Sequence, residues 1–79
     1  LSNAAKILER MRNNPRDWRI EDLKAVARHY GISNRQHGTS HVIFRYPGKP
    51  LVVAPARRPI KPPYIRQFLA LIESMEESA

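Results

Sequence analysis

"HVIFRYPGKPLVVAP", residues 41–55, decides the fold. Its first half alternates, so an extended chain puts Val42, Phe44 and Tyr46 on one side and His41, Ile43 and Arg45 on the other. Pro47 to Pro50, "PGKP", makes a turn, and Leu51 to Ala54, "LVVA", returns as a second strand. The two strands form a hairpin with one apolar face. Immediately before it, Ser33 to His37 reads as a third, more polar strand, joined through the tight loop Gly38-Thr39-Ser40.

Outside this sheet the period changes to helical. Downstream, "PARRPIKPP" (Pro55 to Pro63) is too rich in proline for a ladder or a helix and reads as an extended connection. Pro62 and Pro63 then open a last helix, where a missing amide hydrogen does no harm. Its apolar stripe is Ile65, Phe68, Leu69, Ile72 and Met75, widened by Tyr64 and Leu71, which calls for burial on two sides. Upstream, Leu23, Val26, Ala27 and Tyr30 mark a helix starting near Ile20, with Glu21 and Asp22 in its first turn and Gly31 as its left-handed stop. Before that, Ala4, Ile7, Leu8 and Met11 mark a short amphipathic helix that Pro15 ends. Trp18 reads as a lid over the gap between these two helices, the other reading being a solvent-exposed stacking platform. The expected fold is α+β, a three-stranded antiparallel sheet packed on helices in the order α-α-β-β-β-α.

The chain has 79 residues, enough for one small domain but not for an enclosed cofactor cavity. Chemistry would sit on a surface. Cysteine is absent, which excludes disulfides, thiolate metal sites and a cysteine nucleophile. Apolar runs are far shorter than the ~20 residues of a membrane span, so a soluble, cytoplasmic protein is expected. The opening "LSNA", Leu1 to Ala4, reads as the remnant of a cleaved tag, and residues 5–79 as a single domain.

Charge is the strongest functional signal. There are 14 Lys plus Arg against 7 Asp plus Glu, a net charge of +7. All the acids lie toward the two ends, at Glu9, Asp17, Glu21 and Asp22 and then at Glu73, Glu76 and Glu77. Between Leu23 and Ile72 there is no carboxylate, while the same stretch holds Lys24, Arg28, Arg35, Arg45, Lys49, Arg57, Arg58, Lys61 and Arg66. Such a segment gathers polyanions, of which nucleic acid is the commonest, although an acidic protein or an anionic membrane surface fits the same field.

This distribution also restricts chemistry. Hard metal ions need several carboxylate or phosphate oxygens, and the sheet and loops carry no acid. His37 and His41 lack an evident third ligand, so no metal or other cofactor is expected. Metal-free RNA cleavage needs less: a base for the ribose 2'-hydroxyl, cations for the phosphorane, and an acid for the leaving oxygen. Histidine suits the proton transfers and arginine suits the charge. His41 stands where loop becomes strand, on the face that carries Arg45, with Arg35 and His37 one strand away. A histidine near a turn also fits a plain exposed or capping role. His29, late in a basic helix, complements the helix dipole and needs no other role.

The segment from Gly31 to Leu69, centred on "RQHGTSHVIFRYPGKPLVVAPARRPIKPPYIRQFL", resembles the HicA (YcfA-like) toxins of bacterial toxin–antitoxin systems. The matching features are Ser40-His41, the strand Val42 to Phe44, the turn Pro47 to Lys49, the strand Leu51 to Pro55, the basic loop Arg57 to Lys61, and the helix opening at Lys61-Pro62. About half the chain is covered. The resemblance implies a fold like the double-stranded-RNA-binding domain, metal-independent mRNA cleavage through the motif histidine, and neutralisation by a HicB-like antitoxin. Carried onto this sequence, His41 is the catalytic residue. Thr39 departs from the family, which usually has glycine there, and the helix from Ala4 to Met11 lies outside the minimal family domain.

The expected function is therefore a toxin-type mRNA endoribonuclease. Arg35, Arg45, Arg57, Arg58 and Lys61 steer and clamp phosphate, Lys49 and Arg66 make outlying contacts, and His37 is a candidate second proton carrier. Two alternatives stand beside it: an RNA-binding module of the same fold without turnover, and a basic module that binds an acidic protein partner.

Overall fold

The computed structural model of the protein describes residues 3–38 and 40–78, with the backbone alone at positions 37 and 78. Six elements follow one another: α1 (Asn3–Asn13), α2 (Ile20–His29), β1 (Ser33–His37), β2 (His41–Arg45), β3 (Val52–Pro55) and α3 (Pro62–Ser78). This is the α+β layout expected from the sequence, and from α2 onward the order is α-β-β-β-α.

In α1 the residues Ala4, Leu8 and Met11 are buried, and the helix stops two residues before Pro15. The linker is ordered by its own polar groups. The Arg16 amide donates to Asn14 Oδ1 at 3.1 Å, and Asp17 takes a left-handed φ of 64°, a conformation that a short polar side chain tolerates. Trp18 then turns inward, 9% exposed, and its indole N–H donates to the Asn14 carbonyl at 2.6 Å. It belongs to the core, and the exposed-platform reading is set aside.

At the start of α2 the Arg19 amide donates to Asp22 Oδ2 at 3.0 Å, satisfying a donor that the helix cannot. Its end is a Schellman motif: Ile32 N–H reaches the Ala27 carbonyl at 2.9 Å and Gly31 N–H the Arg28 carbonyl at 3.4 Å, with Gly31 at φ 72°. Ala27 and Ile32 are both buried, so the cap also packs.

The sheet order is β1-β2-β3, both pairings antiparallel. Val42 pairs with Ala54 and Phe44 with Val52, and all four face the helices and are buried. His41, Ile43 and Arg45 face away. The middle strand meets α3 through an edge-to-face contact between Phe44 and Phe68, with ring centroids 5.1 Å apart and planes at 62°. α3 packs on β3 and on α1, the two-sided burial that its wide stripe demands. Arg12 and Glu76 add an ion pair between α1 and α3 at 2.9 Å, part-exposed and of small weight. α1, outside the region of family resemblance, thus supplies Leu8 and Met11 to the same core. Among the described residues no helix is long and apolar enough to cross a membrane.

Replacing Phe68 by alanine should cost about 3–5 kcal/mol, a large share of the ~5–15 kcal/mol that holds a domain together. Urea unfolding should show a sharply lowered midpoint. Gly31→Ala meets nothing within 4 Å, so its cost should be the backbone term alone, about 1–2 kcal/mol.

Candidate functional site

Where β2 begins, β3 ends and α3 begins, the surface opens into a cleft of about 710 Å³. Ser40, His41, Pro55, Arg57, Arg58, Pro59, Lys61 and Tyr64 line it. The chain builds it from three anchored pieces.

The first piece is the start of β2. His41 sits in the central strand, opposite position 37 of β1 and opposite Pro55 of β3. Beyond that pair the Ala56 amide donates to the Ser40 carbonyl at 2.8 Å. Bonded and non-bonded pairs alternate in an antiparallel ladder, so His41 and Pro55 form a non-bonded pair. Proline fits there because β2 asks no amide hydrogen of it. The Ser40 hydroxyl lies 3.1 Å from His41 Nδ1, leaving Nε2 as the ring nitrogen free to meet a ligand. A base at Nε2 requires the tautomer in which Nδ1–H donates to Ser40 Oγ.

The second piece is the connection after β3. One end is tied down by Ala56, and the other by Ile60, which is 1% exposed and donates its amide to the Trp18 carbonyl at 2.9 Å. Trp18 and Ile60 form an isolated antiparallel bridge. Arg57 and Arg58 arch between these two points, both exposed. Arg58 approaches Glu21 at 3.7 Å, but both side chains are about two-thirds exposed (66% and 63%), so the pair barely restrains the guanidinium.

The third piece is the start of α3, where Tyr64 N–H donates to the Lys61 carbonyl at 3.0 Å. Lys61 and Tyr64 thereby share one helical turn at the rim. Among the described residues no carboxylate lines the cleft, which holds two guanidiniums, an ammonium and an imidazole. Its field selects an anion.

Of the residues singled out in the sequence, the fold gathers His41, Arg57, Arg58 and Lys61 in this cleft. Arg35 and Arg45 share the outer sheet face but not the cleft: Arg45 is four residues along β2, roughly 13 Å away at the ~3.3 Å rise of a strand, and Arg35 pairs with Ile43. They extend the positive surface. Lys49 lies elsewhere, its Nζ donating to the Ser74 carbonyl at 3.0 Å, a structural contact on the last helix. Arg66 is exposed on α3 outside the cleft lining. At position 37 the backbone stands opposite His41, while the side chain lies outside the described residues, as does Thr39. Among the described residues no three of His, Asp and Glu come together as metal ligands would.

Sequence reasoning missed Ser40 as the partner of His41, and it assigned Tyr64 only to the core stripe. A signal for Tyr64 was present: it falls in the first turn after Pro62-Pro63, on the helix end where the basic loop lands. A second groove, of about 330 Å³, runs between the start of β3 and α3 and is lined by Pro50, Leu51, Val52, Gln67, Ala70, Leu71 and Ser74, with no charged group. No family model, curated protein or solved structure matches the chain.

Proposed function

We propose that the protein is a metal-independent endoribonuclease of the toxin type, acting on mRNA, with His41 as its proton-transfer residue. The observation that carries this reading is the convergence of His41, Arg57, Arg58 and Lys61 on one acid-free cleft.

The chemistry follows from those groups. His41 Nε2 takes the proton of a ribose 2'-hydroxyl, and the 2'-oxygen forms a bond to the adjacent phosphorus. Arg57, Arg58 and Lys61 hold the phosphate and stabilise the charge that grows on its non-bridging oxygens. The bond from phosphorus to the 5'-oxygen then breaks. That oxygen is protonated by an acid, for which water and the imidazolium are the available sources and the position-37 histidine is a further candidate. The products are a 2',3'-cyclic phosphate and a 5'-hydroxyl, so no external water is consumed. The reaction depends on the 2'-hydroxyl, which restricts it to RNA. A small positively charged nuclease needs an inhibitor in the cell that makes it, and the HicA-like features from Ser40 to Leu69 support a HicB-like antitoxin in that part.

RNA treated with wild-type protein in excess EDTA should yield fragments ending in 2',3'-cyclic phosphate and 5'-hydroxyl. His41→Ala should lower the cleavage rate by about 10²–10⁴-fold. His41 is exposed and leaves no cavity, so thermal unfolding should stay within about 0.5 kcal/mol of wild type. Intact RNA with wild type, despite measurable binding, would replace this reading by the module that binds without turnover.

Binding should also follow salt. Three phosphate contacts on a single strand predict a log–log slope of roughly −2, and Arg57→Ala should make it shallower by about 0.7. A slope near zero would remove the cleft cations from the interface.

A further inference from the structure

The phosphate chemistry accounts for His41 and the cations but not for the rest of the cleft. At about 710 Å³ it lies within the ~300–1,000 Å³ of sites that hold whole small molecules, more room than one phosphate requires. Apart from Ser40, which lies against His41, the remaining wall is Pro55, Pro59 and the side chain of Tyr64. Tyr64 is half-buried and packs against the hydrophobic core, so its ring is held on one side and open to the cleft on the other. The hydrogen bond to Lys61 places this aromatic one turn from a phosphate-binding ammonium.

An aromatic face beside cations is what a nucleotide asks for, a flat surface for the base and positive charge for its phosphate. In a duplex the face of each base is covered by its stacked neighbours, so a protein surface reaches only phosphates, 2'-hydroxyls and base edges, and no base face is open to an aromatic ring. We propose that this cleft takes an unpaired RNA base, stacked on Tyr64, next to the phosphate held by Arg57, Arg58 and Lys61. Tyr64 is then a positioning residue that selects single-stranded segments, and the two prolines complete the slot. This inference rests on the RNA reading above but not on catalysis, since binding alone would reveal it.

The test measures the affinity of His41→Ala protein, in which cleavage should be suppressed, for three probes at one low salt concentration. They are a short mixed-sequence RNA, the same strand annealed to its complement, and the same strand with its bases removed along the central nucleotides; the intact and abasic strands are measured again with Tyr64→Leu and Tyr64→Phe added. The intact single strand should bind about tenfold or more tightly than either the duplex or the abasic strand. Adding Tyr64→Leu should weaken the intact strand by a similar factor while leaving the abasic strand unchanged, and Tyr64→Phe, which keeps the ring, should bind like Tyr64. Equal affinity for intact and abasic strands, or a duplex bound as tightly as the single strand, overturns the base slot while leaving the phosphate clamp in place. That comparison needs no Tyr64 variant, so a variant that fails to fold does not obscure it. Absence of binding to any probe overturns the RNA reading itself.

Discussion

The contact between Phe44 and Phe68 sets the distance and angle between the middle strand and the last helix, and the rest of the molecule is arranged around it. Phe44 lies three residues from His41 along β2, and Phe68 lies one helical turn from Tyr64 and two from Lys61. Fixing one aromatic pair in the core therefore fixes the start of a strand against the start of a helix at the surface. The cleft lies where the starts of both elements meet the loop that follows β3. A closely packed interior permits few alternatives to such a docking, so precision passes from the core to exposed side chains that have little packing of their own.

The basic loop depends on a second pair of constraints. It is held by backbone hydrogen bonds at Ala56 and Ile60, and it needs no side-chain ties between them. Arginine is suited to that span because its charge persists at any physiological pH and its planar fork meets a phosphate without further support. Buried Ile60 stiffens the loop at one end, and Pro55 closes the ladder at the other. The loop keeps its cations exposed while its ends are tied to the domain.

Much of this was legible in the sequence because it is recorded locally. The period of two in Val42 and Phe44, the stop at Gly31 and the Pro62-Pro63 start each specify a structure through their own backbone physics. The strand Ser33–His37 was readable as the polar edge of a sheet with an apolar centre. Of the site, the cation-rich loop and His41 could be read, because charge and residue type are visible without a fold. The partners of those residues could not. The bridge from Trp18 to Ile60 joins segments more than forty residues apart, and neither segment has strand periodicity. Lys49 had the charge of a phosphate contact, but its hydrogen bond to Ser74 depends on where a distant helix ends. Tyr64 lay on an apolar stripe, and a stripe does not tell which of its members stands at the rim.

The division of labour between core and cleft has an energetic consequence. No polar or charged residue is buried among the described residues, so the core owes nothing to the charged groups of the surface. His41, Arg57, Arg58 and Lys61 are exposed, and at the surface they add little to stability. The mutual repulsion of the three cations is screened by solvent and salt. An incoming phosphate would put an anion among them. The fold carries the cost of assembling them through apolar packing elsewhere, leaving the field available for a ligand. Tyr64 bridges the two regimes, packed on the core yet lining the cleft, and through it a bound base would touch the same aromatic framework that sets the position of His41.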